Sequence, residues 1–195
     1  MKKFAFVLMA ALVLCSGNLF SQSLDRGTED DDLLAFMIHG KNFITGTPLP
    51  KTWGVSMDYA RAVGINGFFY LNKYTIGTSP AAILLKLEGL NNESYGEWID
   101  NSIKSFTKEY KGYRAEKPDW IIKNKNNYDV TVYVFKSNDT DVVQYSAYID
   151  PKLDYYYVHL YLTIVEPDKH DEALKDFRRC LESSTFLGVG LQITN

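Results

Sequence analysis

Three histidines, two cysteines and 24 carboxylates are the side chains with which this 195-residue chain could do acid–base, nucleophilic or metal chemistry. Their spacing assembles no known device. His170 and Cys180 fall ten residues apart in one helical stretch. That is about 15 Å along a helix axis, too far for a thiolate–imidazole pair. Cys180 also shares an apolar stripe with Phe177 and Leu181, where an inert, buried thiol is expected. His170 stands among Asp168, Asp171 and Glu172 and reads as solvated, and His39 is isolated in "MIHGKN". Glu29, Asp30, Asp31 and Asp32 are consecutive, whereas a calcium loop alternates its oxygen ligands around a glycine. No G-x-S-x-G, Cys-x-x-Cys or His-Glu-x-x-His occurs, so no hydrolase elbow, redox pair or zinc helix is encoded locally. No catalytic residue, metal ligand or cofactor is assigned.

His159 remains, in "DYYYVHLYLTIVE", Asp154 to Glu166. Strand side chains alternate between two faces. Tyr156, Val158, Leu160, Leu162 and Ile164 make one face apolar. Tyr155, Tyr157, His159, Tyr161 and Thr163 make the other amphipathic, with rings to bury and polar tips that need partners. Such a face is either a half-covered side of a sheet or the floor of a ligand site. The candidate ligand-binding residues are Tyr155, Tyr157, His159 and Tyr161.

The elements that must position them follow from local signals. Asn42 to Ile44 reads as a short strand broken by Gly46, Pro48 and Pro50. Ser56 and Gly64 bracket a short helix. "INGFFYL" and "AAILLKLEG" are strands, the second apolar enough to be central. Ser94 and Glu97 form a capping box. Trp98, Ile99, Ile103, Phe106 and Tyr110 then continue as one helical stripe to Gly112. Four strands are expected in succession, at Trp120–Lys123, Val130–Lys136, Val142–Ile149 and Tyr155–Val165. Their short connections force antiparallel neighbours, a meander. A last helix starts at Pro167 with the inner stripe Ala173, Leu174, Phe177, Cys180, Leu181 and Ser184, and Gly188 closes it.

The N-terminus sets the compartment. Lys2 and Lys3 precede eleven apolar residues, Phe4 to Leu14, and then a small, polar segment. That is the order of a secretory signal peptide. The apolar run spans roughly 17 Å, short of the ~30 Å hydrocarbon core. Cleavage is expected after Ser23, giving a signal peptide over 1–23, an acidic leader over 24–39 and one domain over 40–195. "LVLC" resembles a bacterial lipoprotein signal, but Leu14 occupies the position where that signal carries a small residue. A lipid anchor at Cys15 is therefore disfavoured. The expected location is exported, periplasmic or extracellular. Removing Lys2 and Lys3 leaves 19 basic against 24 acidic side chains, and the longest basic run is Arg178-Arg179. Nucleic acid is not an expected partner, and no membrane span is expected. Cys180 is the sole cysteine left after cleavage, so the domain must hold by its core, without an internal disulfide.

"LPKTWGV", "AVGINGFFY" and "SPAAILLKL", with the closing "DEALKDFRRCLESSTF", resemble the PsbP-like domain family over about residues 40 to 187. The resemblance implies an α+β fold: an α/β/α sandwich around a mostly antiparallel sheet, with a four-strand meander and a C-terminal helix. It carries over no functional residue. The expected function is an exported, non-catalytic binding or accessory domain of the bacterial cell envelope, with an unknown protein or small ligand as partner. The alternative is an envelope enzyme whose site is assembled from scattered residues around His159.

Overall fold

The structure, a computed structural model, describes residues 20–21, 33–40 and 43–188. The expected signal segment, apart from 20–21, lies outside the described residues, as do Cys15 and the carboxylates Glu29 to Asp32.

The chain is a mixture of helices and antiparallel sheets with a C-terminal helix. The strands are β1 (Phe20–Ser21), β2 (Leu33–His39), β3 (Phe43–Pro50), β4 (Trp53–Val55), β5 (Gly67–Leu71), β6 (Ala81–Gly89), β7 (Tyr113–Glu116), β8 (Asp129–Ser137), β9 (Val143–Asp150), β10 (Tyr156–Ile164) and β11 (Thr185–Gly188). The helices are α1 (Met57–Ala62), α2 (Tyr95–Glu109) and α3 (His170–Ser183). A seven-stranded sheet runs β4-β5-β6-β10-β9-β8-β7, and a four-stranded one runs β1-β2-β3-β11. Every pairing among the described residues is antiparallel.

Strand β10 is the centre of the large sheet, flanked by β6 and β9 along its length. Its even-numbered face is core. Val158, Leu160 and Leu162 are fully buried, in one cluster with Phe177, Cys180 and Leu181 of α3. Ile38, Leu49 and Phe186 of the small sheet join the same cluster. Trp53 links the two sides: its indole Nε1 donates to Asp176 Oδ2 of α3 at 2.8 Å. The Cys180 thiol is pushed up to about 12, chiefly by burial, so it is an un-ionised structural group.

Helix α2 starts as its sequence requires. Ser94 accepts from the Glu97 N–H, and the Glu97 carboxylate accepts from the Ser94 N–H at 2.9 Å. Its stripe lies on the opposite face of the large sheet, with Trp98 and Ile99 packed on Tyr148. Helix α1, capped by Ser56, packs beside it over Phe68, Leu84 and Tyr161. Gly64 leaves α1 at φ +73°, a left-handed turn that glycine adopts without strain.

The structure departs from four sequence expectations. Leu33–His39, assigned to the leader, is β2 and pairs with β3. The adjoining carboxylates made a strand look like part of a solvated tail. The prolines do not end β3 at Ile44. Strand β11 covers β3 only from Phe43 to Gly46, so Pro48 and Pro50 fall where β2 is its sole partner and a missing N–H is tolerated.

Trp120–Lys123 is not a strand; β7 takes that place beside β8. The segment instead crosses α3. Trp120 stacks on Tyr145 at 5.2 Å with Arg178 over its ring, and Asn124 donates to the carbonyls of Leu181 and Ser184. Finally, α3 stops at Ser183 and a 3-10 turn, Pro167–Lys169, precedes it. The residues before Gly188 form β11.

Truncating Leu160 to alanine should destabilise the domain by roughly 2–5 kcal/mol. Ile121→Ala, at a side chain 80% exposed, should stay within about 0.5 kcal/mol. Denaturation midpoints of the two variants test this, and equal midpoints would contradict the assignment of β10's buried face.

Candidate functional site

The site forms where β10 meets its two neighbours. His159 lies opposite Lys86 on β6 and Tyr148 on β9. On the same face Glu88 lies opposite Tyr157, and Leu84 and Ser146 flank Tyr161. The two-residue period thus gathers side chains from three strands into one floor.

The imidazole is packed by rings. It stacks on Tyr148 at 4.6 Å and 12°, meets Tyr161 at 4.8 Å, and receives Trp98 of α2 edge-on at 6.4 Å. Its Nε2 is sealed from solvent and has no hydrogen-bond partner. Burial pushes its pKa down to about 4, with a smaller contribution from Lys86; Glu88 opposes the shift. The ring is neutral at physiological pH. Burial also raises Tyr148 and Tyr161, which stay protonated. Glu88 is held by Lys86 at 3.1 Å and by the Trp98 Nε1–H at 3.4 Å.

A cavity of about 600 Å³ lies over this floor, between the end of α1 and the length of α2. Its walls include Trp98, Phe106, Tyr148 and Tyr161, and Ser102 and Ser105 of α2 add small polar surface. The volume suits a small organic molecule.

The four sequence candidates separate. His159 and Tyr161 line the cavity. Tyr157 does not: it stacks on Trp98 at 4.9 Å, and its hydroxyl donates to the Glu93 carbonyl at 3.2 Å, so it anchors α2. Tyr155 is 53% exposed and lies outside β10. A Cβ added at Gly188 would come within 3.2 Å of its ring, which places Tyr155 against β11. The face is half-covered, as expected: α1 and α2 roof it and Tyr161 is 7% exposed, while Tyr157, His159 and Thr163 are only partly buried.

Sequence reasoning missed Lys86, Glu88 and Tyr148, whose place beside His159 depends on strand register. The small Ser102 and Ser105 flanking α2's aromatic stripe were a readable sign of space above the sheet.

His170 is not simply solvated. Its Nε2 is 2.8 Å from the Tyr145 hydroxyl and its Nδ1 is 3.0 Å from Asp171 Oδ1. That chain lies on the α3 side of the sheet, in the cluster containing Tyr145 and Phe177. Among the described residues no group of three His, Cys, Asp or Glu could hold a metal ion, and no helix is long and apolar enough to cross a membrane. No protein-family model matches the chain, and no curated protein matches it.

The desolvated imidazole makes stability depend on pH. An unfolded histidine takes up its proton near 6.5, whereas folded His159 resists protonation until about 4. The unfolded state therefore binds more protons between those values, so stability is full above pH 6.5 and falls as pH drops through the window. Relative to His159→Phe, the native chain should lose roughly 3 kcal/mol between pH 7 and pH 4. Parallel stability curves for the two proteins would contradict this.

Proposed function

We propose that the chain is an exported, non-catalytic binding or accessory domain of the bacterial cell envelope, and that its ligand occupies the cavity over β10. The observation that carries this reading is a ring-lined cavity of about 600 Å³ with the His159 ring and a few polar side chains in its lining. Pockets that bind small molecules combine apolar walls with a few polar groups that fix the ligand's orientation.

An enzyme centred on His159 fits the geometry less well. A general base needs a group to orient it and a pKa near the working pH. His159 is held only by ring packing, and its nearest carboxylate, Glu88, is engaged by Lys86 and Trp98. Export rests on the basic and apolar order of Lys2 to Leu14. A PsbP-like α/β/α sandwich is part of the same reading. It is supported by the antiparallel succession β7-β8-β9-β10, in which β7 stands in place of the expected Trp120–Lys123, and by α2 and α3 packing on opposite sides of β9 and β10.

A fragment library screened by ligand-observed NMR tests the binding reading. Saturable hits should bind the native chain and be lost in Ser105→Trp, which fills the cavity from α2's outer flank and leaves the denaturation midpoint nearly unchanged. Absence of hits, or hits that Ser105→Trp leaves intact, would overturn it.

A further inference from the structure

We propose that the ligand of this cavity is an organic cation, a small amine with an aromatic or aliphatic body. The inference rests on the binding reading above and adds the chemical class of the ligand.

Charge is the first observation. Glu88, Glu93 and Glu109 line the cavity, against Lys86 alone. Lys86 is committed to Glu88 at 3.1 Å, and Glu109 takes a hydrogen bond from the neutral Tyr110 hydroxyl, so no cation of the lining is left for Glu93 or Glu109. Glu93 receives only a neutral amide hydrogen bond, from Asn101 at 3.0 Å. Glu109 is the last residue of α2. Carbonyl dipoles converge at a helix C-terminus, so its carboxylate adds to a potential that is already negative. An adjoining groove of about 280 Å³ extends the acidic rim through Glu93, Glu97 and Asp100, with Lys104 as its single cation.

The walls are the second observation. Trp98, Phe106, Tyr110, Tyr148 and Tyr161 line the space. Aromatic faces carry negative quadrupole potential and attract ammonium groups, most strongly where water is excluded. Their depth also gives an apolar body surface to bury.

The floor is the third. His159 lines it as a neutral imidazole beside the Lys86–Glu88 pair, so the floor presents no unpaired positive charge that would repel a cation. An anionic ligand would meet carboxylates that no cation of the lining offsets. A neutral one would leave the acidic rim unused.

Calorimetric titration of the full chain with three probes of one shape decides the matter: phenethylammonium, 2-phenylethanol and 3-phenylpropionate. Phenethylammonium should bind saturably and at least about tenfold more tightly than the other two. The double variant Glu93→Gln, Glu109→Gln should reduce that preference several-fold while the alcohol binds unchanged. Ser105→Trp should abolish all binding. If the alcohol or the carboxylate binds as tightly as the amine, the cation assignment falls and the cavity remains a binding site. If the amine fails to bind although fragment hits persist, the assignment falls as well. If nothing binds in either experiment, both readings fall together.

Discussion

A central strand with helices packed against both of its faces is the constraint from which the remaining architecture follows. Strand β10 is paired on both edges, so its backbone polar groups are satisfied along its length. Its side chains then have two directions only. The even set, Val158 to Ile164, is aliphatic and sinks against α3. The odd set contains hydroxyls and an imidazole, and it is nevertheless roofed by α1 and α2. Slipping β10 by one residue would exchange the sets and place His159 and Tyr161 against Phe177. Register is therefore fixed by the aliphatic side, and the position of the polar side is a consequence of it.

The polar side is settled mainly by ring packing. Tyr157 finds the Glu93 carbonyl, Tyr95 reaches the Tyr148 carbonyl at 2.6 Å, and Trp98 reaches Glu88. His159 Nε2 finds nothing. Leaving a buried polar atom unsatisfied costs about 1–3 kcal/mol, and a chain with freedom to vary would relieve that with an apolar residue. A ligand would reach the sheet through the cavity beside the ring rather than through this sealed nitrogen. The negative rim formed by Glu93 and Glu109 limits which ligands gain by doing so.

Much of this was legible in the sequence where the signal was local. The Ser94–Glu97 capping box, the alternation through 155–165 and the stripe of α3 depend on residues within a few positions of one another, and each element is present there, with β10 one residue shorter at each end and α3 starting three residues later and ending at Ser183. What failed was non-local. Trp120 and Ile122 read as a strand because they are apolar and β-prone, but their burial comes from crossing α3, more than 50 residues away in sequence. Leu33–His39 looked like a tail because four carboxylates precede it, although its partner β3 follows after a short connection. The site was half visible for the same reason. His159 and Tyr161 lie on one strand, while Lys86, Glu88 and Tyr148 reach them only through the register of β6 and β9. No local pattern encodes that register.

The central claim is that His159 is a neutral imidazole, desolvated by the rings around it, in the floor of an open cavity. An NMR titration of the histidine ring nitrogens in the native chain, with His159 assigned by its loss in His159→Phe, measures this directly. The account predicts that His159 stays neutral through pH 5 and titrates near 4, its pKa in the folded chain. A midpoint near 6.5, the ordinary value for a solvated histidine, would contradict it.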